Sequence, residues 1–248
     1  MLLTCVPAIT SATALLEAYG QGERTFRGIR LPKTDLSGMH LAAIDLTGAW
    51  LPEADLNGAY LGGAILNGAH LPHTLLWESR LLRAHLLGTD LSGSLLNGSQ
   101  LRESQMWGAN LSQCSLIGVD LSGAVLVGAN LSGANLGAMA VDSPILMLAG
   151  TLRANLLINQ EPHVITHAVG TDLSGCNLSQ ANLSWTDFTG ADLRGANLSG
   201  AILQGANLSG AAMRGAHLTT ARLAGAYYDA DTYWDAGFNP ESWGLIRL

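Results

Sequence analysis

The sequence predicts an all-β solenoid of short stacked coils, and two periodicities predict it. From position 26 to position 136 every fifth residue is Leu, Met or Phe, and a second series of the same kind runs from 173 to 223. A period of five matches neither the 3.6-residue turn of a helix nor the two-residue alternation of a flat strand. Pro32, Pro52 and Pro72 add a twenty-residue period. Four five-residue units per coil would therefore bring the chain back to the same corner.

The positions around each apolar centre predict which residues lie inside. A small residue usually stands two places before the centre, and Gly often stands two places after it. Coils stacked at the strand spacing of about 4.8 Å pile like residues into ladders. Leu then fills the middle of the tube, small residues fill the corners, and Gly suits a turn with positive φ. The predicted structural core includes Leu46, Leu51, Leu56, Leu121, Leu193 and Leu198.

The repeat units resemble those of a known family. The segments ADLRG, ANLSG, AILQG and ANLSG, which form residues 191–210, resemble the A-(N/D)-L-x-x motif of pentapeptide repeat proteins. The resemblance extends over residues 24–156 and 171–228. It implies a right-handed quadrilateral β-helix in which the central Leu and the small residue two before it point inward. It also implies a non-enzymatic protein of a family that is especially abundant in cyanobacteria.

Both ends of the chain are predicted to cap the solenoid, because an open end exposes core and strand edges. Residues 1–23 are expected to contain a short helix that starts at Ser11 or Thr10 and ends near Gly20 and Gly22. Residues 229–248 abandon the repeat and form an irregular cap. The aromatic residues expected to plug this end are Tyr228, Tyr233, Trp234, Phe238 and Trp243.

The repeat is interrupted once. One degenerate coil is expected to continue the first block through Val141, Leu146 and Thr151 as far as residue 156. Residues 157–170 then break the phase, and a second block is expected over 171–228. A polar segment that contains Pro162 cannot pair inside the tube, so we expect 157–170 to loop outward.

Composition limits the function classes. Charged residues make up 12% of the 248 residues, and the net charge of −7 is spread along the chain without a basic stripe. This pattern disfavours direct binding of nucleic acid. No apolar run reaches the length of a membrane span. Of three cysteines, Cys114 and Cys176 occupy inward corner positions and are expected to be buried free thiols. A sparse, odd number of cysteines favours a reducing, cytoplasmic location.

Catalytic and metal-binding motifs are missing from the sequence. It contains no G-x-S-x-G, P-loop, H-E-x-x-H or C-x-x-C motif, so we expect neither an enzyme nor a cofactor. In the interrupting loop, His163 and His167 stand four apart beside Glu161, a spacing that could bind a metal on a helix. Pro162 disfavours that helix, and we predict no metal site.

Apolar residues at outward positions indicate a candidate partner surface. The ladder Leu87, Trp107 and Val127 follows its centres at twenty-residue spacing, and Ile65 and Val125 belong to the same side. Contiguous exposed apolar patches usually mark contact surfaces. Two alternatives stay open at this stage: residues 145–148 or the following loop could fold back as an internal cover, or the patch could mediate self-association.

Two function classes follow. The first is a non-enzymatic rigid scaffold whose flat faces bind a protein partner of unknown identity; a regulatory role and a homodimer are both compatible with it. The second is a DNA mimic, as in family members that bind DNA gyrase, or a protein that binds another DNA-binding protein. A mimic should carry mainly Asp and Glu at outward sites. Here those sites include Trp50, Tyr60, Leu75, Arg80 and His85.

Overall fold

The computed structural model describes residues 9–121, 124–136, 168–179, 181 and 183–248. Within these residues the regular elements are a helix α1 (Ala12–Gly20), two short strands β1 (Tyr227–Tyr228) and β2 (Ile246–Arg247), and a 3-10 helix over Pro240–Trp243. Almost all of the remaining backbone pairing consists of isolated parallel bridges between residues twenty apart. The described chain is therefore mostly non-helical and is built from stacked coils.

The bridges form four ladders, which we name after their first residues. The Thr25 ladder continues through Asp45, Ile65, His85, Gln105 and Val125; the Arg30 ladder through Trp50, His70, Asp90, Asn110 and Asn130; the Asp35 ladder through Asp55, Leu75, Leu95, Ser115 and Asn135; the His40 ladder through Tyr60, Arg80, Gln100 and Asp120. The prolines follow the same spacing: the Lys33 amide donates to the Pro52 carbonyl at 2.9 Å, and the Glu53 amide donates to the Pro72 carbonyl at 3.0 Å. The twenty-residue period is thus present in the backbone hydrogen bonds.

The apolar centres form a continuous core. Five of the six expected core residues are at most 1% exposed, namely Leu46, Leu51, Leu56, Leu193 and Leu198. Leu121 is partly buried and packs against the same core. At the corners, several buried hydroxyls donate to carbonyl groups, as Thr89 Oγ1 does to the Leu66 carbonyl on the preceding coil (2.8 Å). Such pairing removes the penalty of burying a polar group in a narrow tube.

The residue two places after each centre, which is the fifth of its unit, adopts positive φ across the described coils. This residue is not always Gly. Lys33, Glu53, Arg83 and Trp185 have φ between 56° and 63°. Some side chains at this position extend across the Gly of the next coil. The Trp185 ring lies 2.3 Å from the place where a Cβ on Gly205 would stand. At such sites the need for space favours Gly in addition to its ease of adopting positive φ.

Helix α1 closes the N-terminal end of the stack. The Ser11 side chain accepts a hydrogen bond from the Ala14 amide at 3.1 Å, which makes Ser11 the N-cap as the sequence indicated. Leu15 is fully buried in the core, and the Tyr19 hydroxyl donates to the Ala42 carbonyl at 2.8 Å. The helix ends at Gly20, and Gly22 follows with a φ of 99°.

Backbone pairing connects the two repeat blocks directly across the interruption. Asn130 pairs directly with Asp172, and Asn135 pairs with Asn177, so the second block lies on the coil that ends at residue 136. The repeat also resumes before residue 171, because Ala168 is buried at a centre position and Gly170 has the positive φ of a corner.

Several sequence-based predictions lie outside the described residues. They are the degenerate coil through Val141, Leu146 and Thr151, and the loop residues Glu161, Pro162, His163 and His167.

At the C-terminal end, the cap includes part of the expected aromatic plug. Tyr228 is buried, Trp234 stacks on Phe238 with ring centroids 4.6 Å apart, and both pack against the core. Tyr233 is a correction to the prediction, because its side chain is 62% exposed. Tyr233 bridges Ala212, and side chains at bridge positions point away from the core. Trp243 contacts Phe238 but remains 39% exposed.

Candidate functional site

The candidate surface is built on the residues that follow the centres beside the Thr25 ladder. The amides of Gly68, Gly88 and Gly108 donate in turn to the carbonyls of Leu87 (2.8 Å), Trp107 (2.9 Å) and Val127 (3.0 Å). These bonds put the three apolar residues at equivalent positions of successive coils. Leu87 is 52% exposed and Trp107 is 50% exposed, whereas Val127 is half-buried.

The structure adds a residue to this ladder that the sequence did not reveal. The Gly128 amide donates to the Val169 carbonyl at 3.2 Å, so Val169 follows Val127 across the interruption. The twenty-residue rule would have assigned this place to residue 147. A signal could have been found in the sequence by aligning Ala168-Val169-Gly170 with Leu126-Val127-Gly128. We call Ile65, Leu87, Trp107, Val125, Val127 and Val169 the mid-chain apolar surface.

The two margins of the mid-chain apolar surface differ, with the Arg83–Glu103 ion pair at the preceding corner and glycines at the other margin. Gly68, Gly88, Gly108 and Gly128 form one margin, where no side chain projects. Ile65 and Val125, both half-buried, stand in the Thr25 ladder with His85 and Gln105 between them. A Gly margin beside an aromatic centre allows a broad partner surface to approach closely.

An ion pair lies near the N-terminal end of the Thr25 ladder. The Asp45 carboxylate accepts from Arg27 Nε at 2.6 Å and from the Thr47 hydroxyl at 2.6 Å. Burial acts to raise the pKa of Asp45, but the hydrogen bonds from Thr47 and Arg27 outweigh it. The net pKa of this carboxyl lies below its ordinary value of 3.8.

A second set of apolar residues beside the Asp35 ladder is less continuous. Leu75 bridges Leu95 as the spacing predicted. Trp77 is 48% exposed, but Asn57 precedes it along the stack and Asn97 separates it from Ile117. The side-chain oxygen of Asn57 accepts from the Trp77 amide at 2.8 Å, and Asn97 does the same for Ile117 at 2.9 Å. Polar groups therefore break this set into separate apolar spots.

The remaining aromatic and cationic side chains largely satisfy one another. His40 stacks on Tyr60 with centroids 4.1 Å apart, and the Arg80 guanidinium covers the same Tyr60 ring at 4.5 Å. His40, His70 and His85 belong to three different ladders and do not converge. In the part of the chain that the structure describes, no cluster of His, Cys, Asp or Glu could hold a metal ion.

Cys114 and Cys176 occupy the same corner of the stack, with Ala134 on the coil between them. Their thiols donate to the carbonyls of Leu91 (3.0 Å) and Leu131 (2.6 Å), and neither forms a disulfide. Burial raises the pKa of each thiol to about 12. Both thiols are therefore protonated at neutral pH and are unsuited to nucleophilic chemistry.

A family model described as pentapeptide repeats matches the chain in eight copies. The matches cover residues 40–77, 59–98, 104–137, 169–205 and 201–227, which together exceed half of the 248 residues. The chain belongs to the pentapeptide repeat family. This result confirms the resemblance drawn from the ADLRG and ANLSG units. Comparison with curated protein sequences gives no match.

Solved structures of the same family are similar to the chain. HetL from the cyanobacterium Nostoc sp. strain PCC 7120, described as involved in heterocyst differentiation regulation, is 28% identical, with 88% of this chain and 96% of HetL covered and a TM-score of 0.46. QnrB1, a plasmid-mediated fluoroquinolone resistance protein, is 16% identical, with 90% and 92% covered and a TM-score of 0.41. Rfr23 from the cyanobacterium Cyanothece 51142 is 20% identical, with 91% and 100% covered and a TM-score of 0.19.

No helix among the described residues is both long enough and apolar enough to cross a membrane.

Proposed function

We propose that this pentapeptide repeat protein is a non-enzymatic, rigid scaffold that binds a protein partner through the mid-chain apolar surface. One observation carries the proposal: Leu87 and Trp107, each about half exposed, continue into Val127 and Val169 without a polar residue between them. Exposed apolar residues scattered singly need no explanation, whereas a contiguous run of them does.

The scaffold is inferred to be a right-handed β-helix of square cross-section. The four bridge ladders and the twenty-residue coil support four flat sides. The handedness is inferred from the family. A flat side with a large aromatic residue at its centre suits protein recognition, because Trp is enriched among the residues that dominate binding energy. The proposal requires neither a cofactor nor a catalytic group.

A substitution at Trp107 tests the proposal. Trp107→Asp introduces a charge at the centre of the mid-chain apolar surface, while its outward position should leave the core unchanged. Trp77→Asp is the matched control, because Trp77 follows its centre in the same way and is equally exposed. We expect both variants to keep the thermal midpoint of the parent in circular dichroism. Trp107→Asp alone should weaken pull-down of a partner or dimerisation measured by size-exclusion chromatography.

Two outcomes would oppose this proposal. A lower thermal midpoint for Trp107→Asp alone would show that Trp107 packs against another part of the chain. Unchanged association in both variants would remove the mid-chain apolar surface from binding.

The DNA-mimic alternative has weaker support. The Arg30 ladder begins with Arg30, Trp50 and His70 before it reaches Asp90, and the Asp192 carboxylate farther along is neutralised by Arg194. A mimic of regularly spaced phosphates needs an uninterrupted acidic series. We therefore expect no inhibition of DNA gyrase in a supercoiling assay. Inhibition that weakens as salt rises would favour the alternative.

A further inference from the structure

The C-terminal cap covers three of the four centres of the last coil. Met213, Leu223 and Tyr228 are at most 7% exposed. Leu218, the fourth centre, is only partly buried, and its neighbours His217 and Thr219 are exposed. The stack is therefore open at its C-terminal end over residues 216–220, which we call the open edge.

Backbone hydrogen bonding is incomplete at this end of the stack. On the closed sides, the Met213 amide donates to the Tyr233 carbonyl (2.7 Å), the Gly215 amide to the Asp235 carboxylate (3.0 Å), and the Gly225 amide to the Gly244 carbonyl (2.8 Å). Among the described residues, the amides of Leu218, Thr220 and Leu223 have no acceptor, and the carbonyls of Ala216 and Ala221 have no donor. These are the groups that would pair with one further coil.

An apolar cleft of about 270 Å³ adjoins the open edge. Its lining includes Leu218 and Thr219 from the edge and the rings of Trp234, Phe238 and Trp243 from the cap. The indole nitrogen of Trp234 is buried and has no hydrogen-bond partner among the described residues. The site thus combines unpaired N–H donors with an apolar depression large enough for one side chain.

The flanking charges identify the chemistry of an occupant. Arg214 precedes the open edge and Arg222 follows it; both are exposed, and neither forms an ion pair within the described residues. The cleft lining includes the Asp235 carboxylate, which accepts a hydrogen bond from the Gly215 amide. Unpaired cations and amide donors together favour an acidic ligand that supplies carbonyl acceptors.

We propose that the open edge binds an extended acidic peptide segment of a partner protein as an added β-strand. The preceding coils give the register: His217 donates its amide to the Ala196 carbonyl, and its carbonyl accepts from the Leu198 amide. By the same pattern the peptide residue above His217 donates to the Ala216 carbonyl and accepts from the Leu218 amide. The following peptide residue carries an apolar side chain into the cleft. The carbonyl of the residue after the apolar one accepts from the Thr220 amide. Acidic side chains on either side face Arg214 and Arg222.

The probe that tests this site is a fluorescent peptide with the sequence Glu-Ala-Asp-Leu-Glu-Gly, blocked at its C-terminus by an amide. One control peptide has Lys in place of every acidic residue. A second control has an N-methyl group on the Asp amide, which removes the hydrogen bond to the Ala216 carbonyl. We expect saturable binding of the probe alone in fluorescence anisotropy. Hydrogen exchange at the Leu218 and Thr220 amides of the unmodified protein should slow when the probe is added.

Matched variants test the charge assignment. The double variant Arg214→Glu/Arg222→Glu should raise the Kd of the probe by roughly tenfold or more. Arg247→Glu alters an exposed Arg at the same end, on β2, and should leave the Kd unchanged. Trp107→Asp should also leave it unchanged, so this site and the proposed mid-chain function can fail independently.

Several results would overturn the proposal. They are equal binding of either control peptide, no saturable binding of the probe, and no slowing of exchange at Leu218 and Thr220. A concentration-dependent dimer that the double arginine variant abolishes would assign the open edge to a second copy of the chain instead.

Discussion

The corner formed by Trp185 and Gly205 allows a sharp test of how the stacked coils fit together. Gly205 has a φ of 70°, and three Trp185 ring atoms lie 2.3–2.7 Å from the place where an Ala Cβ would stand. Gly190 has a similar φ of 66°, but nothing lies within 4 Å of the place where its Cβ would stand. The substitutions Gly205→Ala and Gly190→Ala therefore share a backbone cost and differ in the steric clash.

The expected free energies follow from these two terms. The left-handed conformation costs an Ala residue about 1–2 kcal/mol. Reduced entropy of the unfolded chain returns about 0.4–1 kcal/mol of this. Gly190→Ala should thus destabilise the protein by about 1 kcal/mol. Gly205→Ala must also displace the indole, at a further cost of about 1–3 kcal/mol.

A double-mutant cycle isolates the clash. In a Trp185→Ala background, Gly205→Ala should cost no more than Gly190→Ala does in the parent, because the ring is gone. The measurement is equilibrium unfolding in urea followed by circular dichroism, with the slope against urea compared between variants. An equal cost of Gly205→Ala in both backgrounds would refute the idea that Trp185 makes Gly obligatory at this corner.

Three further predictions concern the core, an ion pair and the thiols. Leu96→Asp should unfold the stack, because Leu96 is fully buried, whereas Leu82→Asp should change the thermal midpoint little, because Leu82 is 42% exposed; equal midpoints would contradict the inward assignment. Since the pKa of Asp45 is lowered in the folded state, its contribution to stability is present above pH 3.8 and is lost as the pH falls through the lowered pKa. Asp45→Asn should reduce the loss of thermal midpoint over this acidic pH range. A pH profile of the thermal midpoint identical to that of the parent would contradict a stabilising role for the Asp45 carboxylate. In a Cys5→Ser variant, Cys114 and Cys176 should resist alkylation by iodoacetamide at neutral pH and react after denaturation, as measured by mass spectrometry. Rapid labelling of the folded protein would contradict their burial.

The regular part of the fold could be predicted because each coil repeats the environment of the one before it. The apolar residue at every fifth position reports the same inward centre, and Pro32, Pro52 and Pro72 report the same corner, so burial of Leu51 or Leu193 follows from position alone. The Leu87–Trp107–Val127 ladder was predictable for the same reason, because its apolar residues interrupt a polar series at fixed spacing. N-capping by Ser11 rests on local chemistry that sequence also conveys.

The remainder depends on contacts that no period encodes. Ala168 is a centre without an apolar signature, so the resumption of the repeat, and with it Val169, was missed. Tyr233 was expected in the plug because it is aromatic, yet its backbone pairs with Ala212 and directs the ring outward. The open edge at Leu218 could not be predicted, because this unit reads like its neighbours and differs only in what the cap leaves uncovered.

Site-specific photo-crosslinking from position 107 tests the central claim most directly. A benzoylphenylalanine residue at Trp107 samples what covers the mid-chain apolar surface in the cell, and the same residue at Trp77 is the matched control. We predict an adduct with a separate protein or a second copy of the chain from position 107, and none from position 77. The absence of any adduct from position 107, or an adduct that maps to residues 137–167 of the same molecule, would contradict the claim that this surface binds a partner.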